Sequence, residues 1–194
     1  MSENLRRYTV AVFGLEHVIR MVPDGNWDAP SPCEGWTARD VAGHAIGVVN
    51  NIAAKAGVGE AVDPFGDVGA IAGDDPVESY RMIRNRFLAA MDQDGVLKQM
   101  VTSRLGDRPM DDYLAAMTGD TLVHTWDVAR AAGVDDTLDP ELVQIVHQSM
   151  IEEESPSLRT PGRYDPAVDA DDAMSAQDRL IAYTGRDPRF TAGS

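Results

Sequence analysis

Residues 109–133 read PMDDYLAAMTGDTLVHTWDVARAAG. Pro109 and Gly133 bracket the run: proline's fixed φ suits a first helical turn, and glycine tolerates the left-handed cap that ends one. Between them Tyr113, Met117, Asp120, His124, Val128 and Ala131 recur at spacings of three and four, which lines them along one helical face. An amphipathic helix of this length needs neighbours to cover its stripe. Across residues 4–22, Tyr8, Val12, Leu15, Ile19 and Val22 repeat with the same period, and Pro23, Asp24 and Gly25 stop the run. Thr37, with Asp40 three residues on, reads as a capping box opening a helix of small residues over 38–56. Asp75-Pro76 and Asp139-Pro140 are two further start signals. The first leads through Tyr80, Ile83, Phe87, Leu88 and Met91, the second to about residue 151, and a last short helix over 176–183 ends before Gly185. Residues 57–73 read as a long loop, 96–104 as a short extended or irregular connection, and 152–172 as an acidic solvated loop. With almost no strand signal, the expectation is an all-α fold: a four-helix bundle with extra short C-terminal helices. It is one domain, with the bundle at about 4–133 and an extension over 134–194.

Composition narrows the function. The chain has 194 residues and a formal charge of −15, with 32 acids against 17 bases. Such a surface lacks the basic face that tracks phosphates, so no nucleic acid is expected as a partner. Adhesion to anionic membranes is disfavoured for the same reason. The single cysteine, Cys33, excludes an intramolecular disulfide framework and a multi-cysteine zinc module. No secretory leader is legible at the N-terminus, and the most apolar stretch, residues 41–58, is broken by His44, Asn50, Asn51 and Lys55. A cytoplasmic protein is expected.

Bundles build their sites from polar residues that point inward. Asp120 and His124 stand one turn apart in the middle of the apolar stripe, and a buried unpaired carboxylate costs several kcal/mol. They satisfy each other, take other hydrogen bonds, or share a cation with a third ligand from another helix. His44, at the edge of the apolar face of the small-residue helix, is the natural third group. Its neighbours Ala42, Gly43, Ala45 and Gly47 leave room around an imidazole. A core histidine bonded to a carbonyl is the plainer account of it. Asp40 is accounted for by the cap, His17 by solvent, and His147 has no acid at helical spacing before it. Cys33 reads as a small buried hydrophobe, with a reactive thiol as the alternative. Trp27 and Trp36 read as clamps of the linker, and Trp126 with Asp127 as fixing the orientation of the Pro109 helix. Arg84, Arg86, Arg104 and Arg108 suit either solvated faces or an anionic substrate. No phosphate-binding glycine loop or nucleophile elbow is present.

Three blocks carry a resemblance. Residues 27–44 read WDAPSPCEGWTARDVAGH, 120–132 read DTLVHTWDVARAA, and 178–188 read DRLIAYTGRDP. Together they resemble the actinobacterial branch of the DinB-like superfamily, which contains the metal-binding domain of mycothiol-dependent maleylpyruvate isomerase. The likeness extends over essentially the whole chain, and an arginine-rich composition with only Lys55 and Lys98 as lysines suits such a host. The resemblance implies a four-helix bundle holding a divalent metal, usually zinc, with nickel or manganese as alternatives. Carried over, the ligands are His44, Asp120 and His124. The isomerase has Glu where this chain has Asp120, which shortens the reach by about 1.5 Å. The isomerase also has a sterol-carrier-like second domain, for which residues 134–194 leave no room. The implied activity is therefore metal-dependent thiol chemistry in a wider sense. Mycothiol would be the co-substrate and a small electrophile the acceptor, in S-transfer or isomerisation. The general base and substrate-binding residues stay unassigned. The reading from another class is a non-catalytic bundle with a structural Asp120–His124 pair, acting as a homodimer or binding partner.

Overall fold

The computed structural model describes residues 1–104, 106–152, 159, 164–170 and 173–192. Four long helices form its body: α1 (Glu3–Met21), α2 (Ala38–Lys55), α4 (Pro76–Met91) and α5 (Met110–Ala132). Contacts join α1 to α5, α5 to α2, α2 to α4 and α4 back to α1, closing a ring around the core. The protein is an all-α, DinB-like four-helix bundle, with α6 (Pro140–Glu152) and α7 (Ala176–Tyr183) added after it.

The helices begin and end where local chemistry directs. Thr37 and Asp40 form a complete capping box at the start of α2. Asp75 caps α4 ahead of Pro76 in the first turn. Gly133, at φ 67°, closes α5 in the left-handed region that a side chain would strain. Tyr8, Val12, Leu15 and Ile19 of α1 are fully buried against Val41, Val49, Phe87, Leu114 and Val128. A second apolar cluster, with Leu122 and Trp126 of α5, Leu142 and Val146 of α6, and Leu180 and Ile181 of α7, seats the C-terminal helices on the bundle.

One connection differs from expectation, and a second takes the extended form, one of its two expected alternatives. The segment 57–73 is not all loop, because Asp67 caps a five-residue helix, α3 (Val68–Ala72). In the 96–104 connection, residues 100–103 are extended as β1 (Met100–Ser103), which pairs antiparallel with an unforeseen β2 (Gly106–Pro109) in the register Met100 to Pro109 and Ser103 to Gly106. Elements of four or five residues fall below the window over which periodicity can be counted. Much of the acidic loop expected over 152–172 lies outside the described residues.

Candidate metal centre

The inward-pointing polar residues of the bundle meet between α2 and α5. His44 projects from the second turn of α2 and is 3% exposed. Asp120 and His124 project from the middle of α5. One ligand-type atom from each of the three lies within 4.8 Å of the other two. The rings of His44 and His124 meet edge to face, with centroids 4.8 Å apart.

Each histidine has one nitrogen already engaged. His44 Nδ1 lies 2.7 Å from the carbonyl oxygen of Pro64, and His124 Nδ1 lies 2.8 Å from Oδ2 of Asp127. Carbonyl and carboxylate oxygens only accept, so each Nδ1 carries the proton and donates. In the neutral rings, Nε2 is then the nitrogen with a free lone pair. His124 Nε2 stands 3.8 Å from Oδ1 of Asp120. The other oxygen, Asp120 Oδ2, is buried without a hydrogen-bond partner among the described residues. Leaving such an acceptor unsatisfied costs about 1–3 kcal/mol. Two oriented Nε2 atoms and one unsatisfied carboxylate oxygen make a donor set that fits a divalent cation.

Close packing over α2 makes the His44 contact possible. A Cβ on Gly43 would lie 1.9 Å from the carbonyl oxygen of Val68, and one on Gly47 would lie 3.2 Å from Pro64 Cβ. The small residues of α2 thus accommodate the 62–72 segment, rather than only leaving space around the imidazole. That segment delivers the Pro64 carbonyl and also Phe65, whose ring lies 4.8 Å from His44. Trp36, read from sequence as a clamp, lies 5.2 Å from His44 on another side and is part of the site wall. Arg104 stacks 5.3 Å over Phe65, whereas Arg84 bonds Glu16 and Arg86 bonds Asn50.

A charged network lies behind the centre. Asp127 is fully buried. Arg186 grips it with Nε at 2.7 Å from Oδ1 and one terminal nitrogen at 2.9 Å from Oδ2. The Cys33 thiol donates to Oδ2 at 3.3 Å and accepts from Arg186 at 3.5 Å. Cys33, expected as a small buried hydrophobe, is instead half-buried at the edge of the core with its sulfur facing charge. Cys33, His124 and Asp127 also come close enough to resemble a ligand set. Both Asp127 oxygens are occupied by Arg186 and His124, so this second grouping is a hydrogen-bonded network.

These contacts set the protonation states. Burial, with His124 nearby, pushes the His44 pKa down. Burial also opposes charge on His124, but the hydrogen bond to Asp127, the nearby Cys33 sulfur and the Asp120 charge lift it to about 10. Burial would raise Asp127, yet Arg186 and His124 hold it well below the usual carboxylate range. Without a cation, the centre thus keeps a proton on His124 between two acids.

The other histidines take no part. His17 is exposed on α1, and His147 packs on Tyr183 at 5.6 Å. Among the described residues, no helix is long and apolar enough to cross a membrane.

Fold and site together define a class: helical bundles that direct two histidines and a carboxylate from facing helices into a shared interior point. Residues 14–129 match the family model described as the mycothiol maleylpyruvate isomerase N-terminal domain, and the chain belongs to that family. It is also 27% identical over 165 residues to uncharacterized proteins from two Mycobacterium tuberculosis strains, CDC 1551 / Oshkosh and H37Rv, covering 82% of this chain and 85% of each of theirs. No solved structure matches it.

Proposed function

We propose that this protein binds a divalent cation, zinc in the first instance, through His44 Nε2, Asp120 and His124 Nε2, and uses it for thiol chemistry. The observation that carries the reading is the unsatisfied Asp120 Oδ2 beside two histidines whose Nδ1 atoms are already committed. A bound cation would lower the pKa of a thiol or water in its open position, making a nucleophile available near neutral pH. The family's link to mycothiol makes that thiol the favoured co-substrate. Trp36 and Phe65 provide an apolar wall beside His44, which suits a small carbon electrophile. In isomerisation the thiolate sulfur would add to an electrophilic carbon and later leave with the bonding electrons. In S-transfer the C–S bond would persist while a leaving group departed.

The test is metal analysis of protein purified without a histidine tag. One equivalent of a divalent metal, lost in His44→Ala and in His124→Ala, is the expected result. A metal-free protein that cannot be loaded with zinc, nickel or manganese would overturn the reading in favour of a structural Asp–His pair. With metal bound, thiol-transfer assays comparing mycothiol and glutathione test the co-substrate.

A further inference from the structure

We propose that Arg186 is a positioning residue for His124, locking the ring in the orientation that turns Nε2 toward Asp120 and His44. This inference rests on the metal-binding reading above. Arg186 lies outside residues 14–129, the portion matched by the family model, and it reaches the centre from beyond α7.

A fully buried carboxylate such as Asp127 is costly unless it is paired and hydrogen-bonded. Arg186 pairs it through a planar fork: Nε to Oδ1 at 2.7 Å and a terminal nitrogen to Oδ2 at 2.9 Å. Two anchors, one on each oxygen, fix the rotation of the carboxylate about its Cβ–Cγ bond. A single point-charge partner would leave that rotation free. With the carboxylate fixed, Oδ2 is aimed at His124 Nδ1, 2.8 Å away, and it also receives the Cys33 thiol at 3.3 Å. The imidazole cannot turn over without losing its bond to Asp127, so Nε2 stays on the Asp120 side.

The chain brings Arg186 there by a specific turn. Gly185 has φ 86°, and a Cβ at this position would lie 2.6 Å from Cβ of Asp165. Position 185, two residues past the end of α7, must therefore be glycine for the chain to pass Asp165 and place Arg186 against α5. Hydrogen-bonding partners of this kind orient metal-binding histidines, and losing them typically weakens metal affinity 10–100-fold.

The experiment compares wild type, Arg186→Lys and Arg186→Met. Zinc affinity is measured by competition with a chromophoric chelator, and the visible absorption of cobalt-loaded protein reports ligand geometry. The nitrogen-15 spectrum of the His124 ring is recorded without metal. Lysine keeps the charge and loses the fork, so it decides the question if the methionine variant fails to fold. The expected result is zinc affinity lowered by about 10–100-fold in Arg186→Met, an intermediate loss in Arg186→Lys, and an altered cobalt spectrum. The Nδ1–H signal of His124 should be slow to exchange in wild type and lost or averaged in both variants. A purely structural Arg186 would lower the melting temperature while leaving zinc affinity within about twofold, the cobalt spectrum and the Nδ1–H signal unchanged. That outcome overturns the inference while the metal reading stands. If wild type takes up no metal, the metal reading fails, and the nitrogen-15 comparison still decides whether Arg186 orients the ring.

Discussion

At the scale of single residues, the centre is governed by Asp127, a group that the sequence marks only as an orienting residue of α5. Its partners explain why: Arg186 lies 59 positions away along the chain, and no periodicity links them. His44, Asp120 and His124 are legible because each sits at a helical spacing that carries it inward. The partner of each Nδ1 is not. Asp127→Asn leaves the Arg186 guanidinium buried against a neutral amide, and breaking such a pair costs about 3–5 kcal/mol. Urea denaturation of the two proteins should show a loss of that size. The pH dependence has a definite sign. The pKa of His124 is raised to about 10 in the folded, metal-free protein, against about 6.5 when unfolded. Its contribution to stability is complete below about pH 6.5 and disappears as pH rises through about 10. Metal-free wild type should therefore lose stability between these values, and His124→Gln should lose much less. Zinc bound as proposed would displace the same proton, so its affinity should rise about tenfold per pH unit within that window. Calorimetry in buffers of different ionisation heat would count the released proton, and a pH-independent affinity would contradict this protonation state.

At the scale of elements, the long helices are written plainly in the sequence because caps and apolar stripes agree. Thr37 with Asp40, and Asp75 with Pro76, start α2 and α4 where expected. The short pieces are hidden. α3 owes its place to Gly43, whose missing side chain admits the Val68 carbonyl onto α2. In sequence, Gly43 is one small residue among several. Glycines of the two helices therefore respond oppositely to alanine. Gly14 lies on the exposed side of α1, where an added Cβ would meet nothing within 4 Å. Gly14→Ala should stabilise by about 0.5–1 kcal/mol, because glycine is a poor helix former. Gly43→Ala should destabilise by at least about 1–3 kcal/mol, since Val68 meets it with backbone and cannot swing aside. Displacing α3 would also move Pro64 from His44, so Gly43→Ala should weaken zinc binding while Gly14→Ala leaves it alone. Thermal melts with and without zinc would separate the two effects.

At the scale of the whole molecule, two electrostatic regimes coexist. The net charge is −15, most acids among the described residues face water, and their mutual repulsion opposes the compact state. Salt screens such interactions over a Debye length of about 10 Å at 0.1 M. Asp127 and Arg186 are different: their side chains are 0% and 10% exposed and touch directly. A buried contact pair is screened far less than surface charges. Raising sodium chloride from about 10 to about 200 mM at neutral pH should therefore stabilise the wild-type protein by relieving surface repulsion. It should leave the difference between wild type and Asp127→Asn almost unchanged. Urea denaturation of both proteins at the two salt levels checks this. If the Asp127→Asn penalty shrinks in step with the gain in overall stability, the pair is exposed to solvent ions, and the closed network drawn around His124 is wrong. If it holds while total stability rises, the inner charges are insulated from the acidic exterior. A cation held by His44, Asp120 and His124 would then experience the fixed field of Asp127 and Arg186 more strongly than that of the surface.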